Sequence, residues 1–156
     1  MGFAARTESL LDRAGRIAEA RGARMTGIRR QVLGLILDAR GPLGAYDLLA
    51  KLRESRDNAA PPTVYRALEF LLEQGLIHKV ERLSAYVGCV AGDESDHEHG
   101  HDHAAQFLIC RGCGKVTELD DHGLADALRD AARRLGFELG KATIEAEGRC
   151  AACAGG

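Results

Sequence analysis

Two Cys-x-x-Cys pairs constrain this chain more than any other feature. Cys110-Arg-Gly-Cys113 and Cys150-Ala-Ala-Cys153 are separated by residues 114–149, most of which read as regular structure. Each pair presents two sulfurs on one side of a tight knuckle. Two knuckles together supply the four thiolates of a closed tetrahedral zinc site. Gly112 and Gly114 give the first knuckle backbone freedom. Any fold must bring the two knuckles to one point, and a zinc there contributes on the order of 10 kcal/mol of apparent folding free energy. The competing reading is a pair of redox dithiols. It needs thiols acidified at helix N-termini, whereas both pairs read as following strands.

Redox compartment bears on that choice. No run of about 18 apolar residues suggests a membrane span. The N-terminal MGFAARTESLLDRAG lacks the positive-then-apolar order of a secretory signal. The expected location is the cytoplasm, where thiols stay reduced and bind metal more often than they form disulfides. At 156 residues, 46% hydrophobic and 28% charged, the chain suits one domain or two small ones. The net charge of −2 is unevenly spread. Residues 1–90 carry 14 Lys and Arg against 10 Asp and Glu, and residues 91–156 carry 7 against 13. A basic half beside an acidic one suggests that the first meets a polyanion.

Hydrophobic periodicity predicts helices over 8–21, from Thr26 to the Gly41-Pro42 stop, over 45–55, and over 61–75. In the last, Val64, Ala67, Leu68, Leu71 and Leu72 form the inward stripe, and Tyr65, Arg66, Glu69 and Glu73 lie off it. Residues 76–90 read as two strands turning at Leu83-Ser84. That register would set His78 directly opposite Cys89 on one face. A lone cysteine is commonly a small buried hydrophobe, but a thiol facing an imidazole is also half of a tetrahedral zinc site. A Cys-His nucleophile is the third reading, and neither an oxyanion-hole motif nor an orienting partner accompanies it. Helices followed by a hairpin are the order of a winged helix-turn-helix, with the last helix in the DNA major groove. The acidic, histidine-rich GDESDHEHGHDHAA reads as a linker. Beyond it come strands at 106–110 and 115–119, a helix at 122–135 with Leu124, Leu128, Ala131 and Leu135 inward, and a strand over 137–148. The fold class is α+β. The expected domains are a winged-helix DNA-binding domain (1–90), a hinge with the histidine-rich loop (91–104), and a small α/β domain (105–156).

These stretches resemble the ferric uptake regulator superfamily, and most closely its zinc uptake regulator branch. PPTVYRALEFLLEQGLIHKVE (61–81) is the most specific, supported by GAYDLL (44–49), FLICRGCGKVTE (107–118) and IEAEGRCAAC (144–153). The resemblance implies a homodimeric zinc-responsive repressor of zinc-uptake genes on double-stranded operator DNA, with 105–156 as the dimerisation domain. It implies neither a membrane nor a small-molecule substrate as partner, and no enzymatic activity. It also implies two zinc ions per subunit. The structural site is Cys110, Cys113, Cys150 and Cys153. The regulatory site is His78, Cys89, His103 and Glu118, drawn from both sides of the hinge. His97, His99 and His101 are left over and could hold a weaker third zinc.

For DNA, the matching residues are Tyr46, Thr63, Tyr65 and Arg66. An arginine early in a recognition helix can take guanine O6 and N7 in bidentate fashion; a surface arginine paired with Glu69 or Glu73 is the bland alternative. Arg24, Arg29 and Arg30 could contact phosphates or solvate a helix face. Two departures stand out: Gly27 follows Thr26 where relatives often carry proline, and His122 has no family role. Rival functions are an iron or peroxide sensor of the same superfamily, and a zinc storage or delivery protein built on the histidine tract. A metal-dependent hydrolase needs an open coordination position, which a four-ligand shell does not leave.

Overall fold

A computed structural model describes residues 2–89 and 104–155. The chain divides into two compact units, Met1–Asp93 and Glu94–Gly156.

The first unit runs α1 (Ala5–Ala20), α2 (Gly27–Asp38), β1 (Leu43–Gly44), α3 (Ala45–Arg53), α4 (Pro61–Glu73), β2 (Ile77–Val80) and β3 (Ala85–Gly88). From α2 onward this is a winged helix, with α1 added in front. Its strands form an antiparallel sheet in the order β1-β3-β2. The apolar stripes of all four helices meet in one core. Leu11, Leu33, Leu48, Leu52, Leu68 and Leu71 are fully buried there. Truncating any such leucine to alanine costs about 2–5 kcal/mol.

Local chemistry sets the ends of α4. Prolines occupy its first positions, where a missing N–H costs nothing. At the other end Gly75 takes φ 66°, and the Gly75 and Leu76 amides bond back to the Leu72 and Leu71 carbonyls. This left-handed cap halts the helix and turns the chain into β2. Thr26 stands at the N-cap position of α2 as its sequence suggests, but its hydroxyl caps nothing. That oxygen is buried without a hydrogen-bond partner among the described residues.

The hairpin differs from expectation. Residues 81–83 form a 3-10 turn and Ser84 takes φ 47°, so the loop holds four residues rather than two. His78 therefore pairs with Val87, and Leu76 lies opposite Cys89. The two-residue strand β1 was also absent from the sequence reading. It is too short to show a period and is defined by its pairing with β3.

The second unit contains β4 (Ala105–Cys110), β5 (Val116–Leu119), α5 (His122–Arg134), β6 (Thr143–Gly148) and α6 (Ala151–Ala154). Its sheet has the order β5-β4-β6, with β4–β5 antiparallel and β4–β6 parallel. Asp121 caps α5 by accepting from the Leu124 amide at 2.9 Å. Buried Gln106 holds the Asp121 backbone through both atoms of its amide, at 2.9 and 3.3 Å. The core is thin: Phe107, Ile109, Cys110, Ala125 and Ala132. Here a second expectation fails. Leu124, Leu128 and Leu135 are 39%, 36% and 84% exposed. Two alanines, Ala125 and Ala132, are the buried residues of this helix instead of the leucine stripe. The strand expected over 137–148 begins only at Thr143.

Candidate metal centres and nucleic-acid interface

The parallel register of β4 and β6 brings the two knuckles together. Cys110 ends β4 opposite Gly148, and the Arg111 amide donates to the Gly148 carbonyl at 2.9 Å. The chain leaving β4 turns sharply at Gly114, where φ is 75°. The chain leaving β6 enters the short helix α6, with Cys150 at its N-cap and Cys153 within it. The second pair thus opens a helical turn, which the sequence reading did not anticipate. All four sulfurs lie within 4.8 Å of one another, and Cys113 Sγ is 3.8 Å from Cys150 Sγ. A tetrahedron with Zn–S near 2.3 Å has S···S edges of about 3.8 Å, so the separation suits a shared cation.

Gly112 makes that convergence possible. A Cβ there would meet Cys153 Sγ at 2.9 Å and its Cβ at 3.1 Å. The sequence suggested only turn flexibility for this glycine; the space it leaves for the fourth sulfur depends on a partner far along the chain.

The protonation of the cluster is uneven. Backbone N–H groups, that of Cys150 foremost and that of Cys113 next, lower the Cys110 thiol to about 6. The Cys150 amide lies 3.3 Å from its sulfur. Cys153, whose thiol bonds first to Cys150 and then to Cys110 and Cys113, is raised to about 12. Four thiols this close cannot all ionise unaided, since each thiolate disfavours the next; a bound divalent cation removes that opposition.

A second pair of soft and nitrogen donors sits on the wing. His78 Nε2 lies 2.7 Å from Cys89 Sγ. The two are diagonal rather than directly opposite, but a register change of two keeps both side chains on one face. A tetrahedral zinc edge between nitrogen and sulfur is about 3.5 Å, so the atoms must part by under about 1 Å to share an ion. Of the other expected ligands, Glu118 lies on β5 in the second unit, paired with Phe107 of β4. His103, like His97, His99 and His101, lies outside the described residues. His122 is the first residue of α5 and is exposed.

The residues expected to meet DNA lie on α3 and the first half of α4. Tyr46 is 75% exposed, Tyr65 45%, and Arg66 is exposed beside it. Thr63, in the first turn of α4, is half-buried. No ion pair joins Arg66 to Glu69 or Glu73 among the described residues. The three arginines near α2 are not equivalent. Arg30 is engaged by Glu8 at 2.6 Å and Asp12 at 2.9 Å. Arg29 lies over the ring of Phe70, 3.8 Å from its centroid, and donates to the Arg24 carbonyl. Only Arg24 directs an exposed side chain outward without such a contact among the described residues. The sequence reading missed Phe70; its signal was an aromatic one turn beyond Arg66 and off the leucine stripe.

Residues 20–147 match the model of the Ferric uptake regulator family. The zinc uptake regulation protein of Escherichia coli (strain K12) is 44% identical over 147 residues, covering 94% of this chain and 82% of that protein. A solved zinc uptake regulator complexed with zinc and DNA is 43% identical with a TM-score of 0.84, over 96% of this chain and 95% of that one. The crystal structure of holo XcZur is 41% identical with a TM-score of 0.80, over 95% and 99% of the two chains.

Proposed function

From the premise that this chain belongs to the ferric uptake regulator family, we propose that it is a zinc-responsive repressor, a dimer that binds operator DNA when zinc is plentiful and silences zinc-uptake genes. The observation that carries the choice of metal is the Cys89 sulfur 2.7 Å from His78 Nε2. A thiolate donor favours zinc, whereas iron sites lean on nitrogen and oxygen.

Two ions per subunit take part in this reading. When bound, zinc supplies a closed four-ligand shell that fixes its donors relative to one another. Cys110, Cys113, Cys150 and Cys153 form the structural shell and tie α6 to the β4–β5 hairpin. His78 and Cys89 belong to the regulatory shell, with His103 and Glu118 the further ligands that the family resemblance implies. Ligation by all four at once would favour the arrangement of the chain that brings them together. DNA that prefers the same arrangement then strengthens metal binding by the same coupling energy. On the DNA side, Arg66 reads a guanine from the major groove, Tyr46, Tyr65 and Thr63 flank it, and Arg24 meets a phosphate.

A metal-titrated gel shift on an operator fragment tests the proposal. Micromolar or tighter zinc should switch binding on while ferrous iron does not. Equal activation by ferrous iron would overturn the choice of metal, and binding indifferent to both would overturn the repressor mechanism.

A further inference from the structure

Arg29 and Arg30 begin α2 beside each other, yet their guanidinium groups go to different elements. Arg30 reaches back to Glu8 and Asp12 on α1. Arg29 reaches forward onto α4, where its guanidinium covers Phe70 at 3.8 Å, and it also donates to the Arg24 carbonyl at 2.6 Å. Phe70 is buried and stands one helical turn after Arg66. The start of α2 has no side-chain cap of its own, since the Thr26 hydroxyl bonds nothing among the described residues. The two arginines therefore fasten that start to the helices on either side of it.

We propose that Arg29 is a positioning residue for DNA reading rather than a phosphate contact. It braces α4 against the segment at Arg24 that leads into α2, so that Arg66 and the Arg24 side chain keep a fixed relation to each other. The brace rests on α4 being the reading helix. It needs a planar guanidinium: the flat face stacks on the ring while one edge N–H reaches the carbonyl, and an ammonium cannot do both in the same geometry. Charge alone is not what matters at this position.

The test is the salt dependence of operator affinity, measured on the zinc-loaded chain for Arg24→Ala, Arg29→Ala, Arg29→Lys, Phe70→Leu, the Arg29→Ala/Phe70→Leu double variant and Arg66→Ala. Arg29→Ala should weaken operator binding by about tenfold while leaving the slope of log affinity against log salt unchanged. Non-specific DNA should be bound nearly as before. Arg29→Lys should fail to restore operator binding, Phe70→Leu should reproduce the loss, and the double variant should lose no more than either single one. Arg24→Ala, by contrast, should lower the slope by about 0.9, the signature of one lost phosphate contact.

The brace is overturned if Arg29→Ala lowers the slope and Arg29→Lys recovers affinity, which is how a phosphate contact behaves. It is equally overturned if operator and non-specific binding fall together, or if neither falls. Should Arg29→Ala not fold, the lysine variant carries the decision. Unchanged operator affinity in Arg66→Ala would instead refute α4 as the reading helix.

Discussion

Single atoms decide what each sulfur in this protein can do. At Gly112 the missing Cβ leaves room for Cys153 Sγ, and at Cys89 a diagonal reach across the hairpin places a thiol beside an imidazole. The two sites therefore call for different tests. Cys89→Ser removes a soft donor from a half-buried position without disturbing a core, so the variant should fold and dimerise normally. Its operator binding should no longer respond to zinc. Normal repression by this variant in a reporter assay would rule out Cys89 as a regulatory ligand. The pairing of His78 with Cys89 was legible in the sequence for a reason that survives an error. A turn at Leu83-Ser84 differs from the observed register by two, and side-chain parity is unchanged by a shift of two. The ring contact of Arg29 was not legible, because its partner Phe70 is set by how α2 packs against α4.

Elements with strong end signals were read nearly to the residue. Prolines at the start of α4 and Gly75 after its end predict the observed span Pro61–Glu73 to within two residues. Faces were harder. Leu124, Leu128 and Leu135 on α5 have helical spacing, and that pattern shows only that a stripe will be covered, not by what. Within its own unit the stripe is left largely exposed. If this unit is the dimerisation domain that the family resemblance implies, a second subunit would cover the stripe. Leu128→Glu, at the middle of the stripe, should raise the dimer dissociation constant by about 100-fold or more without unfolding the unit, whose core lies on the alanine face. Sedimentation at micromolar concentration would show a monomer; an unchanged dimer would place the interface elsewhere.

At the scale of the whole molecule the chain forms two units of opposite charge balance. The basic unit carries the winged helix and the acidic one carries the cysteine knuckles. The sequence suggested this division because charge, element order and cysteine spacing are local properties. Zinc content per subunit is a property of the assembled protein. Mass spectrometry under native conditions should find two ions per subunit. Mild chelation should remove one and abolish operator binding, while the dimer and the other ion persist. Loss of both ions together, or retained DNA binding after the first is lost, would contradict the separation of roles. A third ion would point to the histidine run at 97–101.

The parallel pairing of β4 with β6 also carries a consequence in time. Parallel partners cannot be joined by a tight turn, so Cys110 and Cys150 meet only after α5 has crossed over and the late strand has docked. Contacts of that sequence separation form slowly. Once made, that pairing holds the two knuckles side by side. A zinc held there should therefore be taken up as the domain folds and exchange slowly afterwards, which isotope exchange on the folded, zinc-loaded protein would show. The wing pair, by contrast, is brought together by a short hairpin, so His78 and Cys89 meet without a long crossover.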